Sequence, residues 1–368
     1  MIFRTAPSSN CTSLVLSWRH VVLVLLLMKR LVHSFIRMKI RSTGAFGLFL
    51  IVIQSAVGAT ALPPNTGEVV AWGDLNYDLA LAPSRPPART VAGISAGSFH
   101  SLLLRGDGTL MAWGDNQFGQ TSIPRPAQRG TVAEAVAGNV HNLALLSNGT
   151  VIAWGASGGG IGDYGQCDVP AGLDGVAAVA AGAVHSLALR GDGTVVAWGS
   201  DAFGQCDVPP DLDHVVAIAG GMYHSLTLRQ DGTVVAWGGN NMGQCDVPPD
   251  LDHVVAIAAG GFHSLALKDD GTVVFWGGYG LIRASVPTGL ASVVAIATGD
   301  YHSLALKGDG TVIAWGLNTA GLCQVPSGVR NVALIAARGS HSMVLVGDTP
   351  FPFKATIAPA ASSGTKAE

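Results

Sequence analysis

The sequence predicts an all-β fold, a seven-bladed β-propeller, and three observations lead to this prediction. Seven Trp and seven His recur in step, with a period of about 40 residues, which indicates a tandem repeat of one structural unit. Each period contains three short apolar runs separated by turn residues. The first and last periods are incomplete, and each contains the part that the other lacks. The Trp series is Trp72, Trp113, Trp154, Trp198, Trp237, Trp276 and Trp315, and the His series is His100, His141, His185, His224, His263, His302 and His341.

The unit is clearest between Val254 and Gly278. Its runs 254–258, 263–267 and 272–276 each have about five residues, mostly β-branched or small, which is typical of strands. Gly-x-x-His joins the first two runs. Asp-Gly-Thr joins the second and third, because a hairpin turn needs residues that tolerate positive φ. A variable loop follows each Trp-Gly, and the first half of the next segment, as in 204–213, is expected to form a fourth strand at the blade edge, where proline is tolerated.

The ends of the array indicate how the fold closes. The first and third runs are apolar on both faces, which is typical of sheets covered on both sides, as in sheets stacked around an axis. The array begins with a Trp-containing run at 67–73 and ends with a His-containing run at 341–346. A linear solenoid would need capping units, and none is visible in the sequence. We therefore predict a propeller over residues 67–349, closed by pairing of the N-terminal strand with the C-terminal blade.

The segments outside the repeats predict export. Residues 38–59 combine a short basic start, an apolar run at 44–53 and small residues at 57–59, the layout of a signal peptide. Residues 1–37 are interpreted as a misassigned N-terminal extension before a true start at Met38; the alternative is a membrane-anchored amino terminus. Either interpretation predicts a secreted or cell-envelope protein, with membrane contact only through an uncleaved N-terminal segment. Residues 350–368, rich in Ala, Ser and Pro, are expected to be a disordered tail.

Charge is distributed unevenly along the chain. Residues 1–59 contain seven Lys and Arg and no acidic residue, whereas residues 67–348 contain 12 Lys and Arg against 23 Asp and Glu. An acidic surface repels phosphate backbones, so we expect no nucleic-acid partner.

The residue patterns do not indicate catalysis. Neither His-Glu-x-x-His nor a phosphate loop occurs in the sequence. We therefore expect neither enzymatic activity nor a cofactor. The repeated His lie on different blades, too far apart to converge within ~2–2.3 Å of one metal ion, so no metal site is expected. Each His is expected to hydrogen-bond the backbone of its glycine turn, and each Trp to anchor the core between blades.

Four cysteines occupy the same place in four repeats: Cys167, Cys206, Cys245 and Cys323. Equivalent positions on neighbouring blades are expected to lie farther apart than the ~4.4–6.8 Å that a disulfide requires between Cα atoms. We therefore predict half-buried free thiols.

The repeat resembles that of the regulator of chromosome condensation family. The matching residues in the first full repeat are Ala96-Gly97, His100-Ser101, Asp107-Gly108-Thr109, Ala112-Trp113-Gly114, Asn116 and Gly119-Gln120. The short unit is similar to compact bacterial members, among them the secreted propeller-type β-lactamase inhibitor. This resemblance implies a seven-bladed propeller used as a protein-binding surface rather than an enzyme. The sequence departs from the pattern at Arg338, which stands where a Gly is expected.

The candidate binding residues lie in two kinds of loop. Strand direction reverses at each hairpin, so the Gly-x-x-His turns and the loops after Trp-Gly are expected on one face of the disc. In the similar inhibitor family this face binds the partner, and aromatic anchors dominate interface energy. The alternative is that these aromatic residues plug the mouth of the channel. The candidates are Phe99, Asn139, Met222, Tyr223, Phe262, Asp300 and Tyr301 from the turns, and Phe118, Phe203 and Tyr279 from the loops.

Three functions follow as hypotheses. The first is an exported, non-catalytic and monomeric scaffold that binds an unidentified protein partner. The second is an inhibitor or regulator of a secreted or envelope hydrolase. The third is a guanine-nucleotide exchange factor, as in the eukaryotic members of the family.

Overall fold

The repeats fold into seven antiparallel sheets of three strands each, arranged as the blades of a closed β-propeller. The computed structural model describes residues 67–74, 76, 79, 91–156, 158–278 and 285–347. The interpretations of residues 1–37, 38–59 and 350–368 concern segments outside these described residues. Within the described ranges the helices are two short 3-10 segments, Arg125–Gln128 and Thr319–Gly321. No helix in that part of the chain has the length and apolar character needed to cross a bilayer.

Each blade has an inner, a middle and an outer strand, numbered β1 to β21 in chain order. The inner strands are β2 (Val91–Ala96), β5 (Val132–Ala137), β8 (Val176–Ala181), β11 (Val215–Gly220), β14 (Val254–Ala259), β17 (Val293–Thr298) and β20 (Val332–Arg338). The middle strands are β3 (His100–Arg105), β6 (His141–Leu146), β9 (His185–Arg190), β12 (His224–Arg229), β15 (His263–Lys268), β18 (His302–Lys307) and β21 (His341–Val346). The outer strands are β4 (Leu110–Gly114), β7 (Val151–Gly155), β10 (Val195–Gly199), β13 (Val234–Gly238), β16 (Val273–Gly277), β19 (Val312–Gly316) and β1 (Glu68–Gly73).

The N-terminal strand completes the last blade, which confirms the predicted closure. Strand β1 pairs antiparallel with β21, with Glu68 opposite Val346 and Gly73 opposite His341. The inner strand of this blade, β20, contacts β17 of the preceding blade and β2 of the first blade. The seven blades therefore form a ring.

The predicted fourth strand is wrong. The segment between one outer strand and the next inner strand, as in 200–214, consists of turns. In that segment the Gln205 carbonyl accepts hydrogen bonds from the Trp237 indole (3.0 Å) and the Ser225 hydroxyl (2.9 Å). Its backbone acceptor is thus satisfied by side chains rather than by a strand ladder. Because no fourth strand covers them in the described ranges, the outer strands are only partly buried, whereas the middle strands are buried along almost their whole length.

The repeated tryptophans pack between blades, as predicted. Trp276, on the outer strand of the fifth blade, lies in one buried cluster with Leu226 and Ala217 of the fourth blade and Ile257 of its own. Trp72 joins the sixth and seventh blades in the same way, next to Leu304. An indole contributes a large apolar area to each of these contacts. The core of the protein is therefore a series of interblade layers rather than one central cluster.

Candidate functional site

The Gly-x-x-His turns and the loops after Trp-Gly lie side by side on one face of the propeller, as predicted. In six blades the carbonyl of the residue before His accepts a hydrogen bond from the first loop residue, as in Asp115 N–H to Phe99 O (2.8 Å) and Gly239 N–H to Tyr223 O (2.7 Å). We call this surface the loop face. The opposite surface, formed by the Asp-Gly-Thr turns and the segments that precede the inner strands, is the Asp-Gly face.

A closed ring of buried histidines lies beneath the loop face. Six imidazoles contact the residue after the His of the next blade, and the seventh returns to the first blade through Ser101. The Nε2 contacts are His100–Asn142 (2.7 Å), His141–Ser186 (3.2 Å), His185–Ser225 (3.0 Å), His224–Ser264 (3.0 Å), His263–Ser303 (3.0 Å), His302–Ser342 (2.7 Å) and His341–Ser101 (3.1 Å).

The expectation that each His side chain bonds the backbone of its own glycine turn is wrong. The hydrogen bond within each turn joins the backbones of Gly and His: Gly221 N–H, for example, donates to the His224 carbonyl at 2.9 Å. The glycine leaves room for the imidazole, because a Cβ on Gly221 would collide with the His224 ring. Burial lowers the pKa of these histidines from 6.5 to about 3 or 4, so all seven are neutral at pH 7. In the described part of the chain no group of three His, Cys, Asp or Glu side chains is placed to hold a metal ion.

The Gln of the Gly-Gln pair fixes the loop that presents an apolar side chain. Gln205 is buried, and its Oε1 accepts a hydrogen bond from Phe203 N–H at 2.9 Å. Gln120 holds Phe118 in the same way at 2.9 Å. The residue two positions before each of these glutamines is therefore held at the loop face.

Arg338 closes the axis of the propeller near the loop face. Its side chain leaves the inner strand of the seventh blade, and Nη1 donates to the carbonyls of Ala181 (3.0 Å) and Gly220 (3.1 Å), at the ends of the third and fourth inner strands. Burial lowers the pKa of Arg338, and the nearby Asp300 carboxylate counteracts this effect. Burial likewise raises the pKa of Asp300, against the effect of Arg338. The sequence marks Arg338 as a departure from the repeat, but a contact across the axis is not visible in a linear pattern.

The structure brings several of the predicted residues together. The rings of Phe203 and Tyr223 are 4.8 Å apart, and those of Phe262 and Tyr301 are 5.8 Å apart. Each pair joins two neighbouring blades.

Other candidates are distributed around the same face. Ser98 Oγ donates to Asn139 Oδ1 at 2.6 Å, and Phe99 lines a shallow cleft with Asp74. Met222 and Asp300 are half-buried in their turns, and Phe118 packs beside Gly162 of the next loop. Tyr279 lies outside the described residues. The partner-binding role of all these residues remains a prediction.

The four predicted thiols are free and half-buried, which confirms their interpretation. Burial, with nearby aspartates, raises the pKa of Cys167 and Cys206 to about 12. These thiols are therefore protonated at neutral pH and poorly nucleophilic.

The geometry defines a β-propeller built from tandem repeats, and the comparison with protein families assigns those repeats. The model of the regulator of chromosome condensation (RCC1) repeat matches residues 91–120, 176–205, 215–244, 254–278 and 293–321. The chain belongs to the RCC1-repeat family. No curated protein sequence matches the chain.

Solved structures show the same fold. Prp20p from Saccharomyces cerevisiae is 22% identical, with a TM-score of 0.66 over 77% of this chain and 92% of that chain. The same yeast protein bound to Kap60 gives 22% identity and a TM-score of 0.68 over 84% and 95%. Human WBSCR16 is 20% identical, with a TM-score of 0.60 over 76% and 99%. At these identities the likeness shows the fold, and an RCC1-repeat propeller supports a role in protein interaction or regulation.

Proposed function

We propose that this chain is a non-catalytic protein-binding propeller whose loop face holds the partner. One observation carries the proposal. Among the described residues, the large hydrophobic side chains that are exposed are Phe99 (43%), Ile161 (91%), Tyr164 (55%) and Phe203 (46%), and all four belong to the loop face. Exposed aromatic residues concentrated on one surface are characteristic of protein interfaces.

The loop face is also suited to binding because its support is rigid. Its turns rest on the His ring, and its loops are held by buried glutamines such as Gln205. Side chains held in place lose little conformational entropy when a partner binds. The channel-plug alternative is less favourable, since Arg338 already crosses the axis and Phe203 and Tyr164 project from loops at the periphery.

The similar yeast protein Prp20p is described as binding Gsp1p and histones, which is consistent with a protein partner for this propeller. We further propose that the chain is exported, on the basis of the basic, apolar and small-residue pattern of residues 38–59. Its mature N-terminus, determined by Edman degradation of the protein purified from its host, should lie near residue 60. Recovery of a chain that begins at residue 1 would refute cleavage.

The binding face is tested by affinity capture with matched variants. The loop-face variant is Phe99→Ala, Tyr164→Ala, Phe203→Ala, three exposed positions whose truncation should leave folding intact. The control, Arg129→Ala, Gln230→Ala, Asp250→Ala, changes three exposed positions on the Asp-Gly face. A specific partner should be retained by wild type and control and lost by the loop-face variant.

Retention by the loop-face variant would show that another surface binds. A nucleotide-release assay on small GTPases tests the exchange-factor alternative, and a panel of secreted hydrolases tests the inhibitor alternative.

A further inference from the structure

The two faces of the propeller differ in net charge, because the described basic residues, apart from the buried Arg338, lie on one face only, together with 11 described carboxylates. In the described ranges, every Lys and Arg other than the buried Arg338 lies at the Asp-Gly face, at the end of a middle strand or just before an inner strand. These basic residues are Arg105, Arg125, Arg129, Arg190, Arg229, Lys268, Lys307 and Arg330. The described ion pairs, such as Lys268–Asp252 (2.7 Å), also lie on that face.

The loop face is the more negative of the two. Its turns and loops contain eight described carboxylates and, apart from the buried Arg338, no described basic side chain. The eight carboxylates are those of Asp74, Asp115, Asp163, Asp168, Asp201, Asp207, Asp246 and Asp300. Like charges gathered on one surface create a negative potential that attracts cations and repels anions.

Exposed carboxylates flank the exposed Phe203 of the third blade and the half-buried Tyr223 of the fourth. Asp201 and Asp207 belong to the same loop as Phe203, whose ring packs on Tyr223. Asp201 Oδ1 accepts the Cys206 N–H at 2.7 Å, which fixes one end of this loop.

The neighbouring carboxylates also face the loops. The Asp207 Oδ2 atom turns back toward the loop, 3.3 Å from the position that a Cβ would take on Gly204. On the next loop, Asp246 Oδ1 accepts a hydrogen bond from Asn240 Nδ2 at 2.7 Å. Aromatic faces and carboxylates are thus presented together.

We infer that the loop face binds a protein segment rich in lysine and arginine. This inference rests on the proposed binding function and adds the chemistry of the partner. An ammonium or guanidinium group placed over the Phe203 or Tyr223 ring gains a cation–π attraction, and the adjacent carboxylates accept its N–H donors.

Arg338 does not oppose a cationic partner. Its guanidinium is buried, donates to two backbone carbonyls and faces Asp300. An acidic peptide or a nucleic acid would instead meet repulsion over the described part of the loop face.

The test compares peptides of opposite charge on the full chain. The probes are fluorescein-labelled repeats of Arg-Ser-Lys-Gly, Gln-Ser-Asn-Gly and Glu-Ser-Asp-Gly, each about 12 residues long, followed by fluorescence anisotropy at low ionic strength. Only the cationic probe should bind, and added salt should weaken it.

Two isosteric triple variants locate the binding surface. The first is Asp201→Asn, Asp207→Asn, Asp246→Asn on the loop face, and the control is Asp213→Asn, Asp250→Asn, Asp252→Asn on the Asp-Gly face. Both change net charge equally, and Asn keeps an acceptor oxygen for the local hydrogen bonds. The loop-face variant should weaken the cationic peptide about tenfold, since each exposed ion pair contributes about 0.2–1 kcal/mol, while the control changes affinity less than about twofold.

Equal weakening by the two variants would overturn the inference, as would failure of the cationic probe to bind or binding of the acidic probe. Capture that depends on Phe99, Tyr164 and Phe203 together with any of these results would leave the proposed function standing and refute only the cationic partner. If partner capture does not depend on these aromatic residues and the cationic peptide does not bind, both the proposed function and the cationic partner are refuted.

Discussion

Acidification from pH 7 to pH 5 is expected to unfold the propeller, because its seven ring histidines are buried in the neutral form. Burial lowers their pKa to about 3 or 4, whereas a histidine in an unfolded chain titrates near 6.5. At pH 5 the unfolded chain therefore binds about six more protons at these positions than the folded chain does.

The sign of this effect follows from the direction of the pKa shift. The folded state is fully stable well above pH 6.5, where the histidines of both states are deprotonated, and it loses stability as the pH falls through 6.5 toward 4. The slope reaches about 8 kcal/mol per pH unit, from about 1.4 kcal/mol for each proton. Since whole domains are stable by about 5–15 kcal/mol, the loss approaches the total stability near pH 5.

Urea unfolding followed by Trp fluorescence, at several values between pH 7.5 and pH 5.5, measures this slope. His224→Asn removes one buried titrating group and should reduce the apparent proton uptake by about one. His214→Asn is the matched control, because His214 is exposed and its positive φ suits Asn. The turn aspartates do not interfere, since hydrogen bonds lower the pKa of groups such as Asp231 below 3.8.

Two results would refute this reasoning. One is a free energy of unfolding that does not change between pH 7 and pH 5.5. The other is a reduction in proton uptake by His214→Asn as large as that by His224→Asn.

Two further predictions concern stability. Gly221→Ala should destabilise the fold by about 1–3 kcal/mol in thermal unfolding, because the added Cβ would collide with the His224 imidazole and lie 2.8 Å from the Gly260 carbonyl oxygen. Gly160→Ala is the control. A Cβ at Gly160 has no neighbour within 4 Å, so this variant should be nearly neutral. Trp237→Phe loses the 3.0 Å hydrogen bond from its indole to the Gln205 carbonyl and should lower the free energy of unfolding in urea by at least about 1 kcal/mol. Equal losses in the two glycine variants, or no loss in Trp237→Phe, would contradict the contacts assigned to these residues.

The repeat pattern was sufficient to predict the blades and their closure, because each is specified by local signals. The periodic Trp and His set the blade number, and the Asp-Gly turns set the hairpins. The two incomplete periods at 67–73 and 341–346 identified the shared blade.

Contacts between distant positions were not visible in the same way. The Ser after each His was in the motif, yet its role as partner of the previous blade's imidazole depends on how blades stack. The sequence marks Arg338 as a departure from the repeat. Its hydrogen bonds to the Ala181 and Gly220 carbonyls could not be predicted, because these residues lie on blades across the ring. The prediction of a fourth strand was wrong because the Gln205 carbonyl accepts hydrogen bonds from the Trp237 and Ser225 side chains instead of from a neighbouring strand. The spacing of apolar residues in the sequence does not reveal such side-chain hydrogen bonds.

Closure of the ring by β1 has a consequence for biosynthesis. The strand that completes the last blade is made first, and its partner β21 emerges about 270 residues later, roughly 15 to 55 s at ordinary rates of translation. Until then six blades can stack only as an open arc, in which each end blade leaves one apolar face uncovered, and exposed apolar surface is prone to aggregation. Ring closure is therefore the last assembly step, and it makes a native protein conditional on complete synthesis from the first strand to the last.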